Sequence, residues 1–175
     1  MTDLEMPSQR YYRAMHGRWR GRLTLALTDR AALATVRSPL ERLAWRLSAW
    51  TERVFGRPWM ETRMRFAPDV VVHETALRAL GLRLASGTER LTLDPDGRRF
   101  RIEGAHRLPS SPWRVTRFEG HGEVAADARS AGYEFPLLGA EVVQTTRIDG
   151  EALVATQTTA FSRSEARLER RPERS

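Results

Sequence analysis

The sequence predicts a mainly β protein, an antiparallel meander of about ten strands that curves into a barrel or half-barrel, with one helix after the first strand. Three observations predict it. Residues 18–27 alternate between an apolar and a charged face, and residues 38–55 switch to helical spacing. From about residue 60 onward, short strand patterns follow one another with only turn signals between them. Strands at such short spacing, with no helices between, pair as antiparallel neighbours.

In the first strand, Trp19, Gly21, Leu23, Leu25 and Leu27 share one face, while Arg18, Arg20, Arg22 and Thr24 share the other. That is the pattern of a half-buried strand with a solvated outer side. The helix over about 38–55 opens on Ser38 as N-cap, Pro39 at its first position and Glu41 three residues on, a capping box. Leu40, Leu43, Ala44, Leu47, Trp50 and Val54 form its apolar stripe, and Gly56 followed by Pro58 stops it. Strand patterns then fall at 60–66, 69–77, 79–86, 88–94, 98–108, 113–119, 121–127, 131–136, 140–148 and 152–162. Asp94-Pro95-Asp96-Gly97 reads as a four-residue hairpin loop, Asp149-Gly150 as a tight hairpin turn, and Pro109 to Pro112 as a further turn. The ends, about 1–10 and 169–175, are expected to hold little regular structure, because the last stretch, SEARLERRPERS, is strongly charged.

A chain of 175 residues suits one domain, 1–175, and can bury a core without staples. The absence of Cys excludes disulfides, thiolate catalysis and zinc–thiolate sites. No apolar run resembles a secretion signal or could span a bilayer, so a cytoplasmic location without membrane insertion is expected. All 29 basic residues are Arg, with neither Lys nor Asn present, the bias of a GC-rich genome. Without Lys, no side-chain Schiff base can form. The Arg excess sits in residues 1–87, with 15 Arg against 8 acids, whereas residues 88–175 hold 14 of each. The scatter of these arginines, with few aromatics among them, ranks nucleic acid low as a partner.

Gly17-Arg18-Trp19 is a G-x-W at the start of the first strand. With the order strand, helix, long meander, it resembles the calycin group: lipocalins, fatty-acid-binding proteins and nitrobindin-like barrels. The resemblance implies that Trp19 closes the barrel base against an Arg of the last strand, here Arg163 or Arg167. It also implies a helical lid, as in fatty-acid-binding proteins. The chain departs from lipocalins in lacking a T-D-Y motif. It departs from the nitrobindin-like, haem-binding pattern in having no His after His121. A helix-grip fold also opens with strand and helix, but ends in a long helix that residues 162–171 are too short and too charged to supply.

Several polar residues are candidates for chemistry. His106 shares a face with Phe100, Ile102 and Leu108, so it is expected to point inward, either as a satisfied core His or as a ligand-binding or proton-moving group. His73 and Glu74 take opposite faces of one strand, so only one can face a cavity. An inward Glu74 among valines would be a natural acid or base. His121 and Glu123 share a face, but the glycines around them point to a bend rather than a metal site, and no metal is expected. Gln144 and Thr146 share one face, as do Gln157 and Thr159 on the next strand. They are either the wet outer side or a polar inner wall. Tyr133 with Phe135 reads as core that could still offer a polar contact.

Barrels of this size fill with side chains or enclose a ligand cavity. The leading expectation is a cofactor-free binding protein for a small hydrophobic or amphipathic molecule. His106, Tyr133, His73, Trp19, Leu82, Phe100 and Gln144 are its candidate ligand contacts, and Leu23, Leu25, Leu80 and Leu84 join Leu82 in the lining. The alternative is a cofactor-free isomerase, cyclase or hydratase using His106 or Glu74 as general acid or base. An electrostatic nucleic-acid binder ranks third.

Overall fold

The computed structural model describes residues 6–67, 69–108 and 111–172. Among these, ten strands follow one another: β1 (Gly17–Leu27), β2 (Trp59–Ala67), β3 (Val70–Ala79), β4 (Leu82–Leu93) and β5 (Arg99–Leu108), then β6 (Ser111–Val124), β7 (Ser130–Leu137), β8 (Ala140–Asp149), β9 (Ala152–Thr158) and β10 (Ser162–Arg171). Each pairs antiparallel with its sequence neighbour. β1 also pairs with β10, from Arg18↔Arg171 to Leu27↔Ser162, and that last ladder closes the barrel. Closure leaves no free sheet edge. Of the barrel and half-barrel that the sequence left open, the chain adopts the closed barrel.

Three helices decorate it: α1 (Pro7–Met15), α2 (Arg30–Ala34) and α3 (Pro39–Phe55). α3 begins where its capping residues predict, with the Ser38 hydroxyl accepting from the Glu41 amide at 3.4 Å, and ends at Gly56 with φ +70°. α2 and α3 bridge β1 to β2 across one end of the barrel, which we call the mouth. α1 enters the opposite end, the base.

The structure corrects the boundaries at four places. Strand patterns 79–86 and 88–94 merge into β4, and 113–119 and 121–127 merge into β6. Gly87 and Gly120, which interrupt those patterns, sit within continuous ladders. Residues 7–10 belong to α1, and 169–171 to β10, so regular structure extends into both expected ragged ends. β10 alternates small or apolar inward residues (Ser162, Ser164, Ala166, Leu168) with charged outward ones, so its composition reads as a tail and its parity as a strand. The turn expected at 109–112 falls partly on residues 109–110, outside the described residues.

Trp19 is buried at the base, as the G-x-W resemblance implies, but its cation partner is Arg170, not Arg163 or Arg167. The Arg170 guanidinium lies 4.6 Å from the Trp19 ring centroid. Arg163 and Arg167 pair instead with Glu165 and Asp149 on the outside. Two-residue parity explains the swap. Leu168 and Ala166 face inward, so Arg163 and Arg167 face outward, whereas Arg170 shares the inward parity and stands opposite Trp19 in the β1–β10 ladder.

Apart from Ala44, the apolar stripe of α3 is not core. Leu40, Leu43, Leu47, Trp50 and Val54 are 36 to 73% exposed. Of the stripe only Ala44 is buried, and the helix touches the rim beside it through Trp45, a residue off the stripe, edge-on to Phe161 with its indole N–H donating to the Leu138 carbonyl at 3.2 Å. What lies beneath α3 is an opening rather than a packed face. No helix among the described residues is long and apolar enough to cross a membrane.

Candidate functional site

The barrel interior is divided by chemistry. Toward the base, α1 inserts Tyr11, Tyr12 and Met15, all at most 1% exposed, into a core of Phe100, Phe118, Tyr133 and Phe135. Tyr12 meets Phe100 edge-on at 5.7 Å, and Phe100 meets Tyr133 at 5.2 Å. The Tyr12 hydroxyl donates to Tyr133 Oη at 3.3 Å, and the Thr146 hydroxyl donates to the same oxygen at 3.2 Å. Burial pushes the Tyr11 and Tyr12 hydroxyls well above the ordinary phenol range, so both stay neutral donors. This half is a plug.

Toward the mouth the interior is open. A cavity of about 190 Å³ lies under α3, walled by Leu23, Leu25, Met60, Leu77, Leu84 and Leu137. Its floor is polar and built on three adjacent strands. In the β3–β4 register His73 stands opposite Glu89, and in the β4–β5 register Gly87 stands opposite His106. Residues two apart on one strand share a face, so Glu89 and Gly87 both look inward. A Cβ at Gly87 would stand 2.2 Å from the His106 ring. The missing side chain lets His106 lie across β4 and reach Glu89 along the diagonal. Phe118 holds the ring edge-on at 4.9 Å from behind.

Glu89 is thereby gripped on both oxygens. Oε2 lies 2.8 Å from His73 Nδ1 and Oε1 lies 3.1 Å from His106 Nε2. His73 Nε2 in turn meets the hydroxyls of Thr62 and Thr75, and the Thr62 hydroxyl donates to the Glu74 carbonyl at 3.1 Å. Beside them Gln157 Nε2 donates to Gln144 Oε1 at 2.6 Å. Glu89 is 7% exposed and His73 8%. Burial alone would raise the Glu89 carboxyl. The positive charge of His73 and hydrogen bonds from His106 and His73 outweigh it and hold the group well below the usual carboxylate range. A buried ionised carboxylate needs such compensation to exist at all.

Not every residue named from the sequence reaches this site. His106, His73 and Gln144 line the cavity. Tyr133 and Phe100 are in the plug below it, and Trp19 is in the base. Leu82 is 63% exposed and Leu80 78%, because the chain turns at Leu80-Gly81 and carries both out of the barrel. Glu74 points outward and pairs with Arg65 at 3.5 Å. The choice between the faces of β3 goes to Val71, His73 and Thr75, since inward His73 finds Glu89 waiting across the ladder. His121 is exposed beside Glu134, and among the described residues no group of three or more His, Asp or Glu is arranged to hold a metal ion.

Glu89 is the residue that sequence reasoning missed. Its signal was parity: it shares a strand face with Leu91 and Leu93, an acid at an apolar position. Its partners lie on the two neighbouring strands, His73 on β3 and His106 on β5, so its role shows only once the register is known.

Three solved structures are similar to this barrel over nearly its whole length. The fatty acid transporter REP1-NXSQ matches with TM-score 0.56 and 6% identity, covering 91% of this chain and 98% of its own. A fatty acid binding protein of Schistosoma mansoni, in complex with arachidonic acid, matches with TM-score 0.56 and 9% identity, over 91% and 97%. An SAHS protein of Ramazzottius varieornatus matches with TM-score 0.55 and 10% identity, over 90% and 96%. The fold is calycin-like. At these identities the likeness is one of fold alone, and no protein-family model or curated protein sequence matches the chain. Between the plugged base and the helix-covered mouth lies the interior cavity, and the His73–Glu89–His106 cluster is its floor.

Proposed function

We propose that the chain binds a small hydrophobic or amphipathic molecule in the cavity under α3, with the apolar body against the leucine wall and the polar end toward His73, Glu89 and His106. One observation carries this reading: a mostly apolar cavity with a single convergent polar cluster at its closed end. Preformed ligand sites have that composition. Fatty-acid-binding structural neighbours support a hydrophobic ligand at the level of fold. The direct test is a fluorescence titration with Nile red, an uncharged dye that brightens in apolar surroundings, on the wild type and on His106→Ala. Saturable binding by the wild type is expected, weakened about tenfold or more in the variant. Thermal unfolding of both proteins should show the fold retained. A destabilised variant with normal affinity would make His106 structural only.

A second reading rests on a different observation. His106 is an imidazole oriented by a buried carboxylate and exposed to a cavity, the arrangement that suits a general base. A cofactor-free isomerase, cyclase or hydratase would use it on a bound apolar substrate. His106→Gln separates the readings: catalysis would fall by orders of magnitude with ligand affinity kept, whereas a binding protein shows no turnover to lose.

A further inference from the structure

We infer that the cavity selects a ligand with an uncharged, hydrogen-bonding head group, a hydroxyl on an apolar body, and disfavours a carboxylate of the same chain length. The inference rests on the binding reading above and adds the head-group class. It follows from what the barrel interior holds. Among the described residues the buried charged side chains are His73 and Glu89, and no arginine whose exposure is described is buried. Arg107 borders the mouth but is exposed. A carboxylate head sent to the floor would therefore find no guanidinium. It would come up against Glu89, an anion already in place, where the low local dielectric strengthens repulsion.

A cationic head fares little better. Both ring nitrogens of His73 are already engaged: Nδ1 faces Glu89 Oε2, and Nε2 faces the hydroxyls of Thr62 and Thr75. Glu89 already takes a hydrogen bond from each imidazole, so a cation would have to compete with both rings for its oxygens. What remains is hydrogen-bonding capacity. A carboxylate offers about four acceptor sites and the two imidazoles occupy one on each oxygen, leaving acceptors open. With Nε2 of His106 given to Glu89, Nδ1 is the ring nitrogen left for a ligand. Gln144 and Gln157 bond one another and still keep one donor group and one acceptor between them. A hydroxyl, donor and acceptor at once, matches this floor without bringing a charge.

The test is displacement of Nile red by dodecan-1-ol, dodecanoate and dodecylammonium at pH 7.5, below their aggregation limits. The shared chain makes the apolar contribution common to all three. The alcohol is expected to bind at least about tenfold more tightly than either ion. Glu89→Gln should then narrow the gap between dodecanoate and dodecan-1-ol. A wild type that prefers dodecanoate or dodecylammonium overturns the inference without any variant, as does a folded Glu89→Gln with an unchanged ratio. If Nile red and all three amphiphiles fail to bind, the cavity reading itself has failed, a result distinct from the wrong ranking.

Discussion

Glu89 joins β3 to β5 through the two imidazoles it holds, and it does so in a place where an unpaired charge is not tolerated. Replacing it with Gln removes the negative partner of His73 and His106 while keeping the volume. Loss of one partner from a buried ionic cluster destabilises by about 3 kcal/mol. The pH dependence has a definite sign. A carboxyl held below its unfolded value of 4.5 contributes stability that is fully present above that value and is lost as the pH falls beneath it. Chemical denaturation of wild type and Glu89→Gln should therefore show a large stability gap at pH 7 that shrinks between pH 4.5 and pH 3. A gap that stays constant down to pH 3 would mean that Glu89 is not ionised and paired as the geometry has it.

At the scale of elements, α3 and β10 illustrate what pattern can and cannot convey. Capping residues Ser38 and Pro39 and the stop at Gly56 are local signals, and the helix starts and ends on them. Its apolar stripe states which side avoids water in isolation, not what the barrel offers it, and here the barrel offers Trp45 a seat and leaves the stripe outside. Leu43→Gln with Leu47→Gln should accordingly change stability by no more than about 0.5 kcal/mol, since Gln is a good helix former. Trp45→Ala should cost about 3 kcal/mol. Urea denaturation decides it, and a heavy penalty from the leucine pair would contradict the exposed stripe. β10 was obscured because its inward residues are small and its outward ones charged. α1 was obscured because two tyrosines and a methionine in PSQRYYRAM give too short a pattern to declare a plug. The face of β3 could not be chosen from VVVHETAL alone, because the deciding partner, Glu89, is a residue of the next strand.

Taken as a whole, the molecule is a closed sheet whose two ends do different work. The base is filled by α1 and an aromatic core, and the mouth is spanned by a helix pair over a partly polar cavity. Outward-facing arginines are met by acids at several points of the surface, among them Arg98 with Glu123 and Arg78 with Glu61. The antiparallel strand order was legible because alternation and turn residues repeat along the chain, whereas closure was not, since it rests on β10, whose charged sequence reads as a tail. The site was legible only by half, since His73 and His106 announce themselves as histidines whereas their common partner required the register. The four histidines supply a built-in comparison: His73 and His106 line the cavity, while His16 and His121 lie on the outside. Imidazole nitrogen NMR spectra recorded during titration with dodecan-1-ol or dodecanoate, whichever binds, test the central claim directly. With a ligand on the cavity floor, the His73 and His106 resonances are expected to shift with saturation while those of His16 and His121 stay in place. Binding that leaves the His73 and His106 signals unmoved, or that moves only His16 and His121, would contradict it.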